Sequence, residues 1–241
     1  MPIKPAKKPA RGRPPANKAG DRRTLLLDTA LNLFAQQGIA ATSLNAIAKQ
    51  AKVTPALVHY YFGNREKLVE IVLAERIVPV VEQLSQQLTQ YPAEPMAAIY
   101  ALAQRMLAAM QEQPWLPPLW VREVLCEGGL LRDYLLQHIA PHMAKKVRLL
   151  AAAAQDTGQL NAALDPRLLI VSLIGLTLFP LAAAPIWQQL PGYKSISSEH
   201  MAQHMLELLA HGIEPKKEVA GKRAATKNNA AKSAEENHHG E

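Results

Sequence analysis

Apolar residues recur at helical spacing through most of this chain, and no stretch alternates in the manner of a β-strand. The first predicted helix covers about residues 21–37, where Leu26 and Phe34 lie on one face, and Gly38 ends it. Similar spacing continues to about residue 213. The pattern therefore predicts an all-α protein.

Two short helices joined by a tight turn follow the first helix. The second helix starts after Thr42 or Ser43, either of which can cap it. Thr54 is expected to cap the third helix, and Pro55 takes its first position, where a missing N–H costs nothing. Because the inner residues of the second helix are mostly small, the two helices can cross closely, as in a helix-turn-helix.

A long helix is predicted from near Asn64 to about residue 89. Pro79 should kink or break it, because proline cannot donate a hydrogen bond to the carbonyl of Glu75 and crowds that carbonyl. Five further helices are predicted, at about residues 95–113, 115–126, 131–157, 166–183 and 198–211.

One segment approaches the length of a membrane span. The stretch Leu168–Trp187 contains no charged residue, but Pro180 and Pro185 interrupt it and no aromatic belt flanks it. We interpret it as a buried helix or a helix at a subunit interface, and we expect no membrane partner. A single-pass membrane anchor is the alternative.

The net charge of +7 is concentrated at the two ends of the chain. Residues 1–23 hold eight Lys or Arg and one Asp, whereas residues 24–214 hold thirteen basic and fifteen acidic residues. Neither 1–20 nor 214–241 has an apolar period, so we predict a disordered basic arm and a disordered tail. A basic arm suits contact with a polyanion, and a purely solubilising tail is the alternative.

Other classes of protein are disfavoured. The single cysteine, Cys126, excludes an internal disulfide. The charged N-terminus is unlike a secretory signal, so a cytoplasmic, nucleoid-associated protein is expected. The chain shows no Gly-rich phosphate loop and no nucleophile–base set, which argues against an enzyme. His138 and His142 lie one turn apart and could bind a metal with Cys126, but spacing does not place a third ligand beside them. We therefore expect no metal and no cofactor.

Residues 22–68 closely resemble the TetR family of transcriptional regulators. The positions that carry the resemblance are Leu26, Ala30, Leu33, Phe34, Gly38, Thr42, Ser43, Leu44, Ile47, Ala48, Ala51, Val53, Thr54, Tyr61, Phe62, Arg65 and Leu68. The resemblance implies a three-helix, helix-turn-helix DNA-binding domain at residues 21–80, with the motif at about 43–62. A helical ligand-binding and dimerisation domain at residues 81–213 would follow.

The resemblance also implies roles for single residues. Thr42 stands where the family contacts a phosphate, and Arg65 stands at a phosphate-binding position that usually holds Lys. The start of the third helix stands where the family reads bases in the major groove. The complete set of predicted DNA contacts is Thr42, Ser43, Lys52, Thr54, Pro55, Ala56, Leu57, His59, Tyr60, Tyr61, Arg65 and Lys67. For Tyr61, ordinary packing is the alternative.

Three positions depart from the family pattern. Lys52 replaces the usual turn Gly, and a left-handed conformation costs Lys more than Gly, which indicates either a slightly different turn or an added phosphate contact. Ala56 replaces a frequent Gly and His59 a frequent Tyr, which changes the preferred bases. Upstream, Arg11 and Arg13 lie in a segment that resembles an AT-hook, which binds a narrow minor groove. Chance occurrence in a basic tail is the alternative.

For the second half of the chain, the resemblance implies a ligand pocket and a dimer formed by the last two helices. Candidate pocket residues are Met106, Met110, Trp115, Trp120, Arg122, Glu123, Tyr134 and His138. Candidate interface residues are Ile170, Leu173, Ile174, Thr177, Leu178, Met201, Met205 and Leu208. Met and Trp walls suit a small hydrophobic or aromatic effector, and plain core packing is the alternative for each residue.

These expectations combine into one functional hypothesis. A homodimer would bind a palindromic operator in double-stranded DNA, most commonly as a repressor, although activation stays open. The effector would move the helix that begins at Asn64, with Pro79 as a pivot, and would release the DNA. The rival hypothesis is a basic protein that binds or compacts nucleic acid without sequence preference.

Overall fold

The computed structural model describes residues 16–91 and 93–214, and the side chains from Gly20 onward. Within those ranges the chain is helical and forms no strand, so the predicted all-α fold is confirmed. The α-helices are α1 (Ala16–Gln37), α2 (Leu44–Gln50), α3 (Pro55–Phe62), α4 (Arg65–Val72), α5 (Val78–Gln90), α6 (Pro95–Glu112), α7 (Leu116–Trp120), α8 (Leu131–Tyr134), α9 (Ala140–Asp156), α10 (Leu169–Ala182), α11 (Ala184–Trp187) and α12 (Ser198–Ile213).

Most helix bounds agree closely with the sequence pattern. The largest difference is α1, which begins at Ala16 rather than at residue 21. Residues 16–20 include Ala and Lys, which favour helix, but no large apolar residue, so hydrophobic spacing gives no sign of a helix there. At the other end of the chain, α12 extends past its predicted end at residue 211, runs through Gly212 and ends at Ile213.

The N-terminal core forms where α1, α2, α3 and α4 meet. Phe34, Ile47 and Phe62 are almost completely buried there. Two residues from the second half of the chain, Leu119 and Leu131, complete the same core. The DNA-binding half is therefore packed directly against the elements that follow it.

Pro79 neither breaks nor ends the long helix. Instead, α4 continues through a wider π-type turn, Leu73–Ile77, and Pro79 becomes the second residue of α5. A second wide turn, Leu135–Ile139, stands in the same relation to Pro141 in α9. Proline cannot donate the hydrogen bond that an α-helix requires, and the wider turn accommodates its ring. A third wide turn, Val121–Leu125, follows α7 directly.

The second half of the chain packs around α6. Ile99 and Leu102 of α6 are completely buried against α9, α10 and α12. The uncharged segment predicted to be buried or interfacial forms α10 and α11, separated near Ala183. No helix in the described ranges is long and apolar enough to cross a membrane.

Candidate DNA interface and ligand cavity

The helix-turn-helix is held by local interactions that the sequence predicts only in part. Ser43 caps α2, and its Oγ accepts a hydrogen bond from the N–H of Ala46 at 3.1 Å. Thr54 takes the capping position of α3, but its hydroxyl makes no capping bond and stays available to another partner. Lys52 has φ of 55°, so the turn keeps a left-handed conformation despite the lysine.

The predicted base-reading residues are brought together on the outer face of α3. Thr54, Pro55, Ala56, His59 and Tyr60 are exposed, whereas Leu57 is half-buried. Tyr60 keeps 81% of its surface exposed, an unusual value for a large aromatic residue. The opposite face holds Val58 and Phe62 in the core. The helix therefore presents one continuous outer surface.

His59 has a defined ring orientation. Its Nδ1 lies 2.8 Å from the carbonyl oxygen of Gly63. Because a carbonyl can only accept, Nδ1 carries the proton and Nε2 is left for an outside partner. Tyr61 is half-buried and packs against the rings of Tyr60 and Phe62, consistent with a largely structural role.

An open cleft beside the motif separates the starts of α2 and α4. Arg65 crosses it and donates from Nη1 to the carbonyl of Ala40 at 3.0 Å. Asn64 caps α4 by accepting from the N–H of Lys67 at 2.8 Å. Asn45 and Asn64, which were not among the predicted DNA contacts, line this cleft together with Ser43. Their signal was available in the sequence, since both are polar residues at a helix start.

Thr42 does not fit the predicted phosphate contact. Its side chain is buried, and its hydroxyl donates to the carbonyl of Gly38 at 2.7 Å and accepts from Gln37 Nε2 at 3.1 Å. Both hydrogen bonds hold the turn between α1 and α2. Thr42 therefore acts as a support for Ser43 rather than as an exposed donor. Lys52 and Lys67, by contrast, are exposed as predicted.

The second half of the chain, together with the wide turn Leu73–Ile77, forms a partly open cavity of about 200 Å³. Its walls come from α5 to α10 and from all three wide turns, and no polar surface faces it in the described part of the chain. Four predicted pocket residues line it: Met106, Met110, Trp120 and Tyr134. The aliphatic residues of α5 and α10 that complete the wall were not predicted as pocket residues.

The other four predicted pocket residues lie elsewhere. Trp115 is packed between the cores, and Arg122 and His138 are exposed. Glu123 is buried but points towards the DNA-binding half. These predictions were wrong because each helical segment turns only one face to the cavity. Neighbouring residues of the same segment therefore point in different directions.

Glu123 instead joins the two halves of the molecule. One carboxylate oxygen accepts from the N–H of Ile39 at 2.8 Å, and the other accepts from the N–H of Leu130 at 3.0 Å. Gly129 lies so close to the Glu123 backbone that a Cβ there would be 2.3 Å from the Glu123 carbonyl oxygen. Gly38 has φ of 89° and packs against the same carboxylate. The junction thus fixes the turn that precedes α2.

A second junction connects α1 to the wide turn Leu73–Ile77. Arg23 donates to both carboxylate oxygens of Glu75, at 2.7 and 2.5 Å, and Arg76 donates to Asp28 at 2.9 Å. The hydrogen bonds from Arg23 lower the pKa of Glu75 below its ordinary value, against a smaller opposing effect of burial. Leu73 and Ile77 of the same turn line the cavity. Both junctions therefore lie directly behind the cavity wall.

The predicted dimer residues of α10 point the wrong way. Leu173, Thr177 and Leu178 are buried within the protomer, and Ile170 and Ile174 line the cavity. On α12, Met205 is also buried, Met201 is half-buried and Leu208 is half-exposed.

The outward surface of α10, α11 and α12 shares only Leu208 with the predicted set. It exposes Leu168, Val171, Phe179, Ile186 and Leu208, each by half or more. Within this surface, Gly175 is open, since a Cβ there would meet no atom within 4 Å. The helices α10 and α12 pack against each other.

The remaining predictions concern other parts of the chain. Arg11 and Arg13 lie outside the described residues. Cys126 is exposed. Among the described residues, no three His, Cys, Asp or Glu side chains are grouped as metal ligands would be.

Comparison with known proteins agrees with this geometry. Residues 26–72 match the sequence profile described as "Bacterial regulatory proteins, tetR family". The HTH-type transcriptional regulator BetI of Rhizobium meliloti (strain 1021) is 46% identical over 48 residues, 20% of this chain. The match spans about a quarter, 24%, of that relative's length.

Solved structures show the same fold over most of the chain. The ketosteroid transcriptional regulator KstR2 of Mycobacterium tuberculosis superposes with a TM-score of 0.64 at 17% identity, covering 80% of this chain and 95% of that one. The complex of SmeT with triclosan superposes with a TM-score of 0.55 at 17% identity, covering 82% and 93% of the two chains. At these identities the likeness concerns the fold.

Proposed function

We infer that this chain, which belongs to the TetR family of bacterial regulatory proteins through its residues 26–72, is a dimeric repressor released from its operator by a small apolar effector. The observation that carries the proposal is the outer face of α3. It exposes Thr54 with its uncapped hydroxyl, the imidazole of His59 and a tyrosine with 81% of its surface exposed, and no element covers them in the described part of the chain.

Sequence-specific binding follows from how these groups are held. Ser43 and Asn64 cap α2 and α4, and Arg65 ties the start of α4 to the turn before α2. The donors that would contact phosphates therefore have fixed positions relative to α3. Phosphate contacts of this kind set the register of a recognition helix, and base contacts then give specificity.

A second copy of this chain is the proposed occupant of the apolar surface on α10 and α12. Large exposed apolar residues on adjoining helices mark an interaction surface. The open position at Gly175 allows a partner helix to approach closely. A symmetric pair presents two α3 helices, so the operator should be a palindrome with half-sites about one turn of DNA apart.

The cavity is the proposed effector site. Its wall includes the wide turn that carries Glu75 and Arg76 and the wide turn that carries Glu123. A ligand that spreads these walls would strain both junctions with the DNA-binding half. The effector then shifts the population away from the DNA-competent form by its difference in affinity for the two forms. The strain on the Glu123 junction would act in addition to the expected movement of α4.

A binding selection tests the proposal. The full chain is incubated with fragments of the genome that encodes it and with random duplexes, and the bound sequences are read. We expect one palindromic motif, and Tyr60→Ala should weaken binding to it about tenfold or more, since it removes a side chain from the recognition surface. Enrichment of no motif, with equal binding of all duplexes, would instead support the non-specific nucleic-acid protein.

The sign of regulation needs a separate measurement. A reporter gene placed behind the recovered operator should be silenced by the wild-type protein and released when Tyr60 is replaced by Ala. A reporter that is silent without the protein and active with it would make the chain an activator, without affecting the assignment of the DNA surface.

A further inference from the structure

The three tryptophans of this chain differ in how their indole N–H groups are bonded. Trp115 donates to Gln113 Oε1 at 2.9 Å, and Trp187 donates to the carbonyl of Pro180 at 2.7 Å. The Trp120 Nε1 is buried and has no hydrogen-bond partner, the one such buried side-chain nitrogen or oxygen in the described ranges. Buried tryptophans usually find an acceptor, so this exception needs an explanation.

Trp120 lies in the wall of the cavity. Its neighbours Met110, Leu116 and Leu178 are apolar, and none supplies an acceptor. The cavity surface itself has no polar area in the described part of the chain, so a charged ligand would lose its hydration without gaining a partner. The site therefore selects against ions and against molecules with several polar groups.

The size of the cavity sets a further limit. At about 200 Å³ it is somewhat larger than the roughly 150 Å³ engineered apolar cavity that holds benzene. A compact molecule of about ten non-hydrogen atoms suits this volume.

We propose that the effector is a compact, uncharged and mostly apolar molecule with one hydrogen-bond acceptor oxygen, and that the Trp120 indole N–H donates to this oxygen. The inference rests on the proposed function, which makes the cavity the effector site. In this structure no polar surface faces the cavity, so the buried indole N–H does not line it. The proposal therefore requires the ring to turn as the ligand enters.

Two probes of matched shape test this chemistry. Indane and 1-indanone differ by one carbonyl oxygen, and their binding to the full chain is measured by calorimetry for wild type and for Trp120→Phe. We expect Trp120→Phe to raise the Kd of 1-indanone roughly fivefold more than the Kd of indane, the effect of one net hydrogen bond. The indane value corrects for the change in cavity shape.

A direct readout uses wild-type protein with ¹⁵N-labelled tryptophan, so it does not depend on the folding of the variant. Trp115→Phe and Trp187→Phe assign the three indole signals. 1-Indanone should shift the Trp120 indole proton downfield, whereas indane should not, and the other two signals should move little because their acceptors are already in place.

Several results would overturn the inference. They are binding of neither probe, an equal effect of Trp120→Phe on both probes, and a downfield shift at Trp115 or Trp187 in place of Trp120. Operator binding by the unliganded protein is measured in parallel. If the unliganded protein does not bind an operator, the proposed function itself is contradicted. If it does bind and any of these results is also found, only the effector chemistry is rejected.

Discussion

Replacing Glu123 tests whether the junction between the two halves governs DNA binding. Glu123→Gln keeps the size of the side chain but leaves one oxygen for two backbone donors, so its amide group must face either the Ile39 or the Leu130 N–H as donor against donor. Ile39 is completely buried, so the amide keeps its oxygen on the Ile39 N–H and turns its NH2 towards the N–H of the exposed Leu130. The variant loses one charge-assisted hydrogen bond and weakens the other, which should cost about 1–3 kcal/mol.

Two assays measure this loss. Denaturant unfolding of the full chain should show a free energy of unfolding lower by about 1–3 kcal/mol for Glu123→Gln. Operator affinity without effector should also fall, and addition of 1-indanone should then change the affinity less than in wild type, because the variant has already weakened the junction that the effector is proposed to strain. The control is Glu127→Gln, which removes an exposed carboxylate four residues away.

The reasoning would be refuted if Glu123→Gln and Glu127→Gln had equal stability and an equal response to the probe. Reduced stability with an unchanged response would show that Glu123 supports the fold but does not transmit the effector signal.

Three further predictions concern separate features. Lys52→Gly should raise the free energy of unfolding by about 1 kcal/mol, because it relieves the left-handed conformation of a lysine. It should also lower the salt dependence of operator binding by about one phosphate contact. A loss of stability would contradict the first expectation. Phe179→Glu should give monomers in light scattering, whereas Leu125→Glu, also at an exposed apolar residue, should stay dimeric. The pKa of Glu75 is lowered by Arg23, so its contribution to stability is present above about pH 4.3, the ordinary Glu value, and lost as the pH falls through the lowered value; Glu75→Gln should therefore flatten acid unfolding, and an unchanged profile would count against the junction.

The DNA-binding half could be predicted from the sequence because its determinants are local. Caps such as Ser43, the proline at the start of α3 and the spacing of core residues all act within a few positions of one another. At Lys52 the sequence left open a slightly different turn or an added phosphate contact, and the structure keeps the left-handed conformation. Thr42 is the exception, since only the folded turn shows that its hydroxyl points inward to Gly38.

The second half was harder to predict because its determinants are distant or uniform. Glu123 meets Ile39 across 84 positions of sequence, and no periodic pattern indicates that pairing. In α10 nearly every residue is apolar, so a helical pattern gives no inward side. Ile170 and Val171 are alike in the sequence, yet one lines the cavity and the other faces outward.

The wide turns explain how a cavity wall and a junction come to share residues. The turns Leu73–Ile77 and Leu135–Ile139 are each followed by a proline that cannot restore the α-helical hydrogen bond, so their width is fixed by sequence. Val121–Leu125 has no such proline and contains Glu123, whose carboxylate accepts from the N–H of Ile39. Because no proline fixes its width, Val121–Leu125 can change register at less cost than the other two turns. We therefore expect 1-indanone to alter amide hydrogen exchange most in Val121–Leu125, measured by mass spectrometry, and a larger change in either proline-bounded turn would contradict this assignment.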